Sequence, residues 1–153
     1  MTPRMNYYTQ APKLMQAMMG LERAVNQSGL EHGLIELVKT RASQINGCAF
    51  CIAMHTHDAL KAGEDPARLF LLDAWREAPH YIPRERAALA WTEALTLVAQ
   101  THAPEADYEG LHPHFTEPEI VSLSVLIGTI NAWNRLAIGF RSIPGQAPAE
   151  AAA

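Results

Sequence analysis

The sequence predicts an all-α fold: a single-domain helical bundle of about six helices, with a Cys-x-x-Cys pair at the N-terminus of a central helix. Three observations carry that reading. Apolar residues recur three and four apart along most of the chain. Helix-starting residues (Pro, Asp, Ser, Thr) and a stopping glycine punctuate the segments. No stretch alternates at period two for long enough to make a strand. "VSLSVLIG" does so briefly, but within a long helical segment opened by a capping pattern.

From about Pro12 to Asn26, Leu14, Met15, Met18, Leu21 and Val25 share one face. Ser28 and Gly29 break this segment, and Ser28 with Glu31 fits a capping box for the next. That helix, Glu31 to Ile45, places Leu34, Ile35, Val38, Ala42 and Ile45 on one stripe. Asn46 and Gly47 interrupt it. A third helix runs from Cys48 to about Ala62, with Gly63 as its stop. Asp65 and Pro66 open a fourth, reaching about Ala78. Pro83 opens "PRERAALAWTEALTLVAQ", and "THAPEADYEGLHPHF" reads as a polar connection. Thr116 and Glu119 bracket Pro118 as a cap for a long apolar helix to Phe140. Residues 1–145 form the domain; 146–153, within "PGQAPAEAAA", have nothing to pack and are expected to be a flexible tail.

Composition narrows the function classes. At 153 residues the chain suits one domain with a real core. Net charge is −4, with no basic tract, so nucleic acid and anionic membrane are poor partners. "MTPRMNYYTQAPK" lacks a signal-type apolar core, and no apolar run is expected to approach spanning length. A cytoplasmic location follows as the expectation. Only 18% of residues are charged, which points to apolar surface hidden in an oligomer. Met15, Met18 and Met19 suit a core or such an interface. Trp75, Trp91 and Trp133 read as core anchors, with Trp133 also able to border a pocket. His57, His80, His102, His112 and His114 read as surface residues. Asn131, Asn134 and Arg135 interrupt an apolar helix and need partners across a helix or subunit contact.

The chemistry concentrates in "NGCAFCIAMHTH", which holds the chain's two cysteines. On a helix, Cys48, Cys51 and His55 stand at i, i+3 and i+7 and share a stripe. Cα atoms three apart lie about 5 Å from each other, within disulfide range. A disulfide closing so short a loop adds about 2 kcal/mol, so stapling is the least rewarding use of the pair. At a helix start, free N–H groups and the helix dipole favour a thiolate. His55, one turn past Cys51, can exchange a proton with it. A low-pKa thiol beside a resolving thiol suits redox chemistry. Zinc is the competing reading: two Cys and one His leave a tetrahedral site one ligand short, to be completed by Glu36, His57 or His32.

With its surroundings, "ELVKTRASQINGCAFCIAMHTHDA" resembles the alkylhydroperoxidase D-like group of the carboxymuconolactone decarboxylase family. Glu36, Cys48, Cys51 and His55 match its Glu-x11-Cys-x2-Cys-x3-His pattern. "PRERAALAWTEALT" and "NAWNRLAI" look like later helices of the family, and the likeness spans roughly 20 to 140. The resemblance implies an antioxidant peroxidase in which Cys51 attacks a hydroperoxide and Cys48 resolves the product. His55 and Glu36 would relay protons. It implies no metal or organic cofactor, an external dithiol reductant (a lipoyl-bearing or thioredoxin-like protein), and a trimeric or hexameric homo-oligomer. Phe50 stands where the best-known members carry a second histidine. A metal-binding or redox-sensing module without turnover, and the lyase chemistry of the namesake decarboxylases, are the alternatives.

Overall fold

The structure, a computed structural model, describes residues 2–146. The expected tail therefore lies outside the described residues, apart from Gln146. Described residues form helices α1 (Tyr7–Gln10), α2 (Pro12–Asn26), α3 (His32–Asn46), α4 (Ala49–Lys61) and α5 (Pro66–Leu71). A 3-10 turn, Leu72–Ala74, follows; then come α6 (Pro83–Thr96), α7 (Val98–Thr101), α8 (Glu105–Glu109) and α9 (Glu117–Phe140). No strand occurs among the described residues. The fold is the all-α bundle that the apolar spacing predicts.

α3 lies at the centre, packed against α4, α6 and α9. Its buried residues include not only Leu34, Ile35, Val38 and Ala42 but also Glu36, Lys39, Thr40 and Ser43. A helix enclosed on several faces must bury polar groups as well, and most of those here find partners. One large core joins Val25, Ile35, Val38, Trp91, Leu123 and Ile127, among others. A second gathers Leu37, Leu72, Trp75, Tyr81 and Leu89. A third, smaller cluster holds Ala42, Cys48, Cys51, Ile130 and Ala137, with Phe50 and Trp133 against it. Burial of this kind contributes about 25 cal/mol for each Å² of apolar surface removed from water.

Several local readings are corrected. α2 buries Met15 and Val25, but leaves Leu14 and Leu21 exposed. The Ser28–Glu31 capping box does not form. Glu31 is itself the cap residue without a side-chain cap bond, and its carboxylate turns to Arg84. α5 ends at Leu71 rather than Ala78, because the chain tightens to bring Trp75 inward. Arg86 takes the carbonyls freed there, donating to Trp75 O (2.9 Å), Arg76 O (2.6 Å) and Ala78 O (3.1 Å). The helix from Pro83 breaks at Leu97 and restarts as α7; Thr101 Oγ1 donates to the Ala94 carbonyl (2.7 Å) at the break. The connection after it contains α8. At α9, Glu119 accepts from Thr116 N–H (2.7 Å) and hydroxyl (2.8 Å), the cap the sequence predicts. α9 is also a correction: at 24 residues, with mean hydropathy 1.2 in its most apolar window, it is long and apolar enough to span a membrane. Half of that window is buried inside the bundle.

Candidate active site

The cysteines sit where one helix stops and another starts. Gly47, at φ 68°, ends α3 in the left-handed conformation that glycine adopts without a Cβ penalty. Gly47 N–H donates to Gln44 O (3.1 Å) and Cys48 N–H to Ser43 O (2.9 Å), a Schellman closure. The turn leaves Cys48 as the cap residue of α4, with its sulfur accepting from the Cys51 backbone N–H at 3.4 Å. Cys51 is one turn further on. Both are reduced thiols and both are buried, with sulfurs 2.7 Å apart.

The shared proton divides the two thiols electrostatically. The two sulfurs share one hydrogen bond, and that bond, with helix-start amides and Asn134, outweighs burial and lowers the Cys48 pKa to about 7. Cys51 moves the opposite way, held up by the same hydrogen bond, by burial and by the charge on Cys48. The pair's first negative charge thus rests on Cys48, nearest the helix start. Position favours the other sulfur: Cys51, and not Cys48, lines the adjoining cavity.

That cavity, of about 560 Å³, lies between α1, α2, α3, α4 and α9. Such a volume suits a small organic ligand. Phe50, Met19, Met54, Tyr7, Tyr8 and Trp133 give it a largely apolar wall. Its polar side is ordered by two networks, the first of them buried. Glu36, buried on α3, accepts from His55 Nδ1 at 2.9 Å. Burial opposes ionisation of Glu36, but the hydrogen bond and charge of His55, with Lys39 and His32, outweigh it and lower its pKa. A carboxylate only accepts, so the proton in this contact is on His55 Nδ1, and Nε2 is the ring nitrogen not engaged by Glu36. In the second network, Glu22 is bonded by Lys39 Nζ, Asn26 Nδ2 (3.3 Å) and Trp133 Nε1 (3.1 Å).

The structure thus pairs Glu36 with His55 and Cys48 with Cys51, and brings Glu36, His55 and Cys51 onto one cavity between α3 and α4. His32 lines the same cavity, whereas His57 is exposed and does not line it. Asp58, three residues past His55, also borders the cavity; ligand atoms of Glu36, His55 and Asp58 all lie within 4.8 Å of one another. The i, i+3 rule that pairs the cysteines would have found it. Glu22, Lys39 and Tyr8 carry no comparable sequence signal, because α1 and α2 reach the site only through tertiary packing. Behind the cysteines, Asn46 Nδ2 donates to Asn131 (2.9 Å) and Asn134 (2.8 Å). Asn134 donates to Ser43 (3.0 Å) and Asn131 to Thr96 (3.1 Å), which ties α9 to α3 and α6.

Comparison with known proteins places the chain among relatives of the same fold. The chain is 44% identical over 138 residues to an uncharacterized protein of Bacillus subtilis (strain 168), YdfG, covering 90% of this chain and 94% of that one. It superposes with a TM-score of 0.92 on the crystal structure of a protein of unknown function from Agrobacterium tumefaciens, for which an AhpD antioxidant-defence role has been suggested. Those two are 46% identical, over 95% of this chain and 99% of that one. An uncharacterized peroxidase-related protein from Silicibacter sp. TM1040 follows at TM-score 0.80 and 25% identity, over 90% and 73% of the two chains. Residues 12–94, from the start of α2 through both cysteines and most of α6, match the carboxymuconolactone decarboxylase family, and the chain belongs to that family.

Proposed function

We propose that this chain is a thiol-dependent hydroperoxide reductase acting in antioxidant defence. The observation that carries the reading is Cys51, on the wall of an apolar cavity, with Cys48 in sulfur contact behind it and the His55–Glu36 pair one turn away. The Cys51 proton passes to His55 Nε2 or across the sulfur contact to Cys48. The Cys51 thiolate attacks the terminal oxygen of R–O–O–H, the O–O bond breaks, and Cys51 becomes a sulfenic acid as R–O⁻ leaves and is protonated to the alcohol. Cys48 then displaces water from the sulfenic acid and forms the Cys48–Cys51 disulfide. An external dithiol, on a lipoyl-bearing or thioredoxin-like protein, returns both thiols by exchange and is itself oxidised.

Reduced protein given one equivalent of an organic hydroperoxide should lose two thiols per chain. Cys51→Ser should abolish the loss, and Cys48→Ser should leave a sulfenic acid that a cyclic diketone traps. Peroxide consumption by Cys51→Ser at the parent rate would remove the assignment.

The Glu36, His55 and Asp58 cluster favours a second reading, a metal-binding module without turnover. His plus two carboxylates suits a borderline divalent ion. Elemental analysis of protein purified without chelators separates the readings. Near-stoichiometric zinc that leaves the thiols titratable and is lost in Asp58→Ala supports the second.

A further inference from the structure

We propose that Tyr8 is a catalytic residue of the hydroperoxide reaction, its phenol donating the proton that the departing alkoxide needs. The inference rests on the peroxidase reading above and assigns a group that the reading leaves open. Cleaving the O–O bond places negative charge on the oxygen that leaves. Sulfur attack is an in-line displacement, so that oxygen departs on the side away from Cys51. It moves away from the wall of α4, which carries both Cys51 and His55, and a donor on another element must meet it.

Few donors around the cavity are free to do so. Lys39 Nζ, Asn26 Nδ2 and Trp133 Nε1 all serve Glu22. Asp58 and Lys61 lie seven and ten residues beyond Cys51, about 10 and 15 Å along α4 at about 1.5 Å per residue. His32 is a turn beyond Glu36, at the far end of α3 from the cysteines. The hydroxyls of α1 remain: Tyr7 and Tyr8 both line the cavity with Cys51, but Tyr7 is buried against Phe140 (ring centroids 5.3 Å), whereas Tyr8 is the half-buried one that stacks on the Trp133 wall.

The segment that carries Tyr8 is held in place from across the chain. Arg4 donates from N–H to Phe140 O (3.0 Å) and from Nη1 to Gly139 O (2.8 Å). Asn6 Oδ1 caps α1 by accepting from Tyr8 N–H at 3.0 Å. The Tyr8 ring stacks on Tyr7 (centroids 4.7 Å, 29°) and on Trp133 (6.3 Å, 18°). Its phenol pKa is raised, by burial first, then by Tyr7 and by the negative charges of Cys51 and Glu22. The group therefore stays protonated whenever the thiolate forms, and its proton is available to the far more basic alkoxide that leaves. Proton balance closes. Cys51 gives its proton to His55, R–O⁻ takes one from Tyr8, and the tyrosinate recovers the proton from protonated His55 through cavity water.

The test is Tyr8→Phe, which keeps the stacked ring and removes the hydroxyl. Single-turnover thiol loss is followed with two oxidants. Cumene hydroperoxide leaves as an alkoxide and needs the donor; peracetic acid leaves as a carboxylate and does not. Tyr8→Phe should slow the cumene hydroperoxide reaction about a hundredfold, the lower end of what a positioned acid typically supplies, while the peracetic acid rate stays within about twofold. Equal slowing of both reactions, with or without a lower melting temperature, makes Tyr8 structural and overturns the proposal. An unchanged cumene hydroperoxide rate overturns it too. A parent protein inert to both oxidants overturns the peroxidase reading, and this proposal with it.

Discussion

At Cys48 and Cys51 a single proton serves two sulfurs, and that sharing sets the pH behaviour of the site. Cys48, lowered to about 7, carries the first charge, while Cys51 is raised by the same hydrogen bond. Ultraviolet thiolate absorbance of the reduced protein should therefore show one thiolate per chain, titrating near pH 7. The second should not ionise below strongly alkaline pH. Cys51→Ala removes the largest contribution to the lowering, so the Cys48 midpoint should rise toward the ordinary thiol value of about 9. A parent midpoint near 9 would show that the pair does not share its proton. The residues of this pair were legible in the sequence because i, i+3 and i+7 is a local rule: helix geometry alone puts Cys48, Cys51 and His55 together. Glu36 stood out only through its spacing within the family pattern, since most glutamates on such a helix are solvated. Tyr8 and the buried Lys39 were not legible. Tyr8 depends on Arg4 reaching the end of α9, 135 residues away, and Lys39 on acceptors supplied by α2.

At the level of elements, starts were easier to read than stops. Pro12, Pro66, Pro83 and the Thr116–Glu119 pair mark helix starts with chemistry carried by the helix itself. The stops at Leu71 and Thr96 depend on groups from elsewhere, such as Arg86 collecting carbonyls behind Trp75. The apolar stripe of α2 was misread for a related reason, because periodicity names a face without naming what covers it. Glu93 on α6 shows how elements are joined. It accepts from Arg41 of α3 (Nη2, 2.8 Å) and Trp75 Nε1 (2.8 Å), and pairs with Arg76. Burial opposes its ionisation, but the bonds from Trp75, Arg76 and Arg41 outweigh it, so its pKa is lowered. A depressed carboxyl contributes stability above its unfolded pKa, and that stability is lost as pH falls through the folded value. Glu93→Gln should cost about 2 kcal/mol near neutrality, less than a fully buried pair because the carboxylate is partly exposed. Urea melts of parent and variant should converge as the pH drops below about 4, the ordinary carboxyl range. A gap that persists there would assign the loss to packing rather than charge.

For the whole molecule, the apolar residues left in solvent bear on assembly. Scattered exposed residues need no explanation, but a contiguous patch does. Val121 (62% exposed) and Val125 (39%) stand at i and i+4 on α9, with Gly128 continuing the stripe. Val98 and Gly128 share a shallow depression, and Tyr108, Val121 and Val125 line another. α9 is apolar along most of its length, yet only half of its most apolar window is buried in one chain. We propose that copies of this chain cover that stripe, in a trimer or hexamer. Light scattering at micromolar concentration should give three or six times the 16.8 kDa chain mass. Val121→Glu combined with Val125→Glu places like charges against one another at such a contact and should release monomers whose circular dichroism is still helical. A parent that scatters as a monomer defeats the assembly itself. A double variant that keeps the parent's mass would move the contact to the other uncovered face, where Leu14 and Leu21 of α2 stand in solvent.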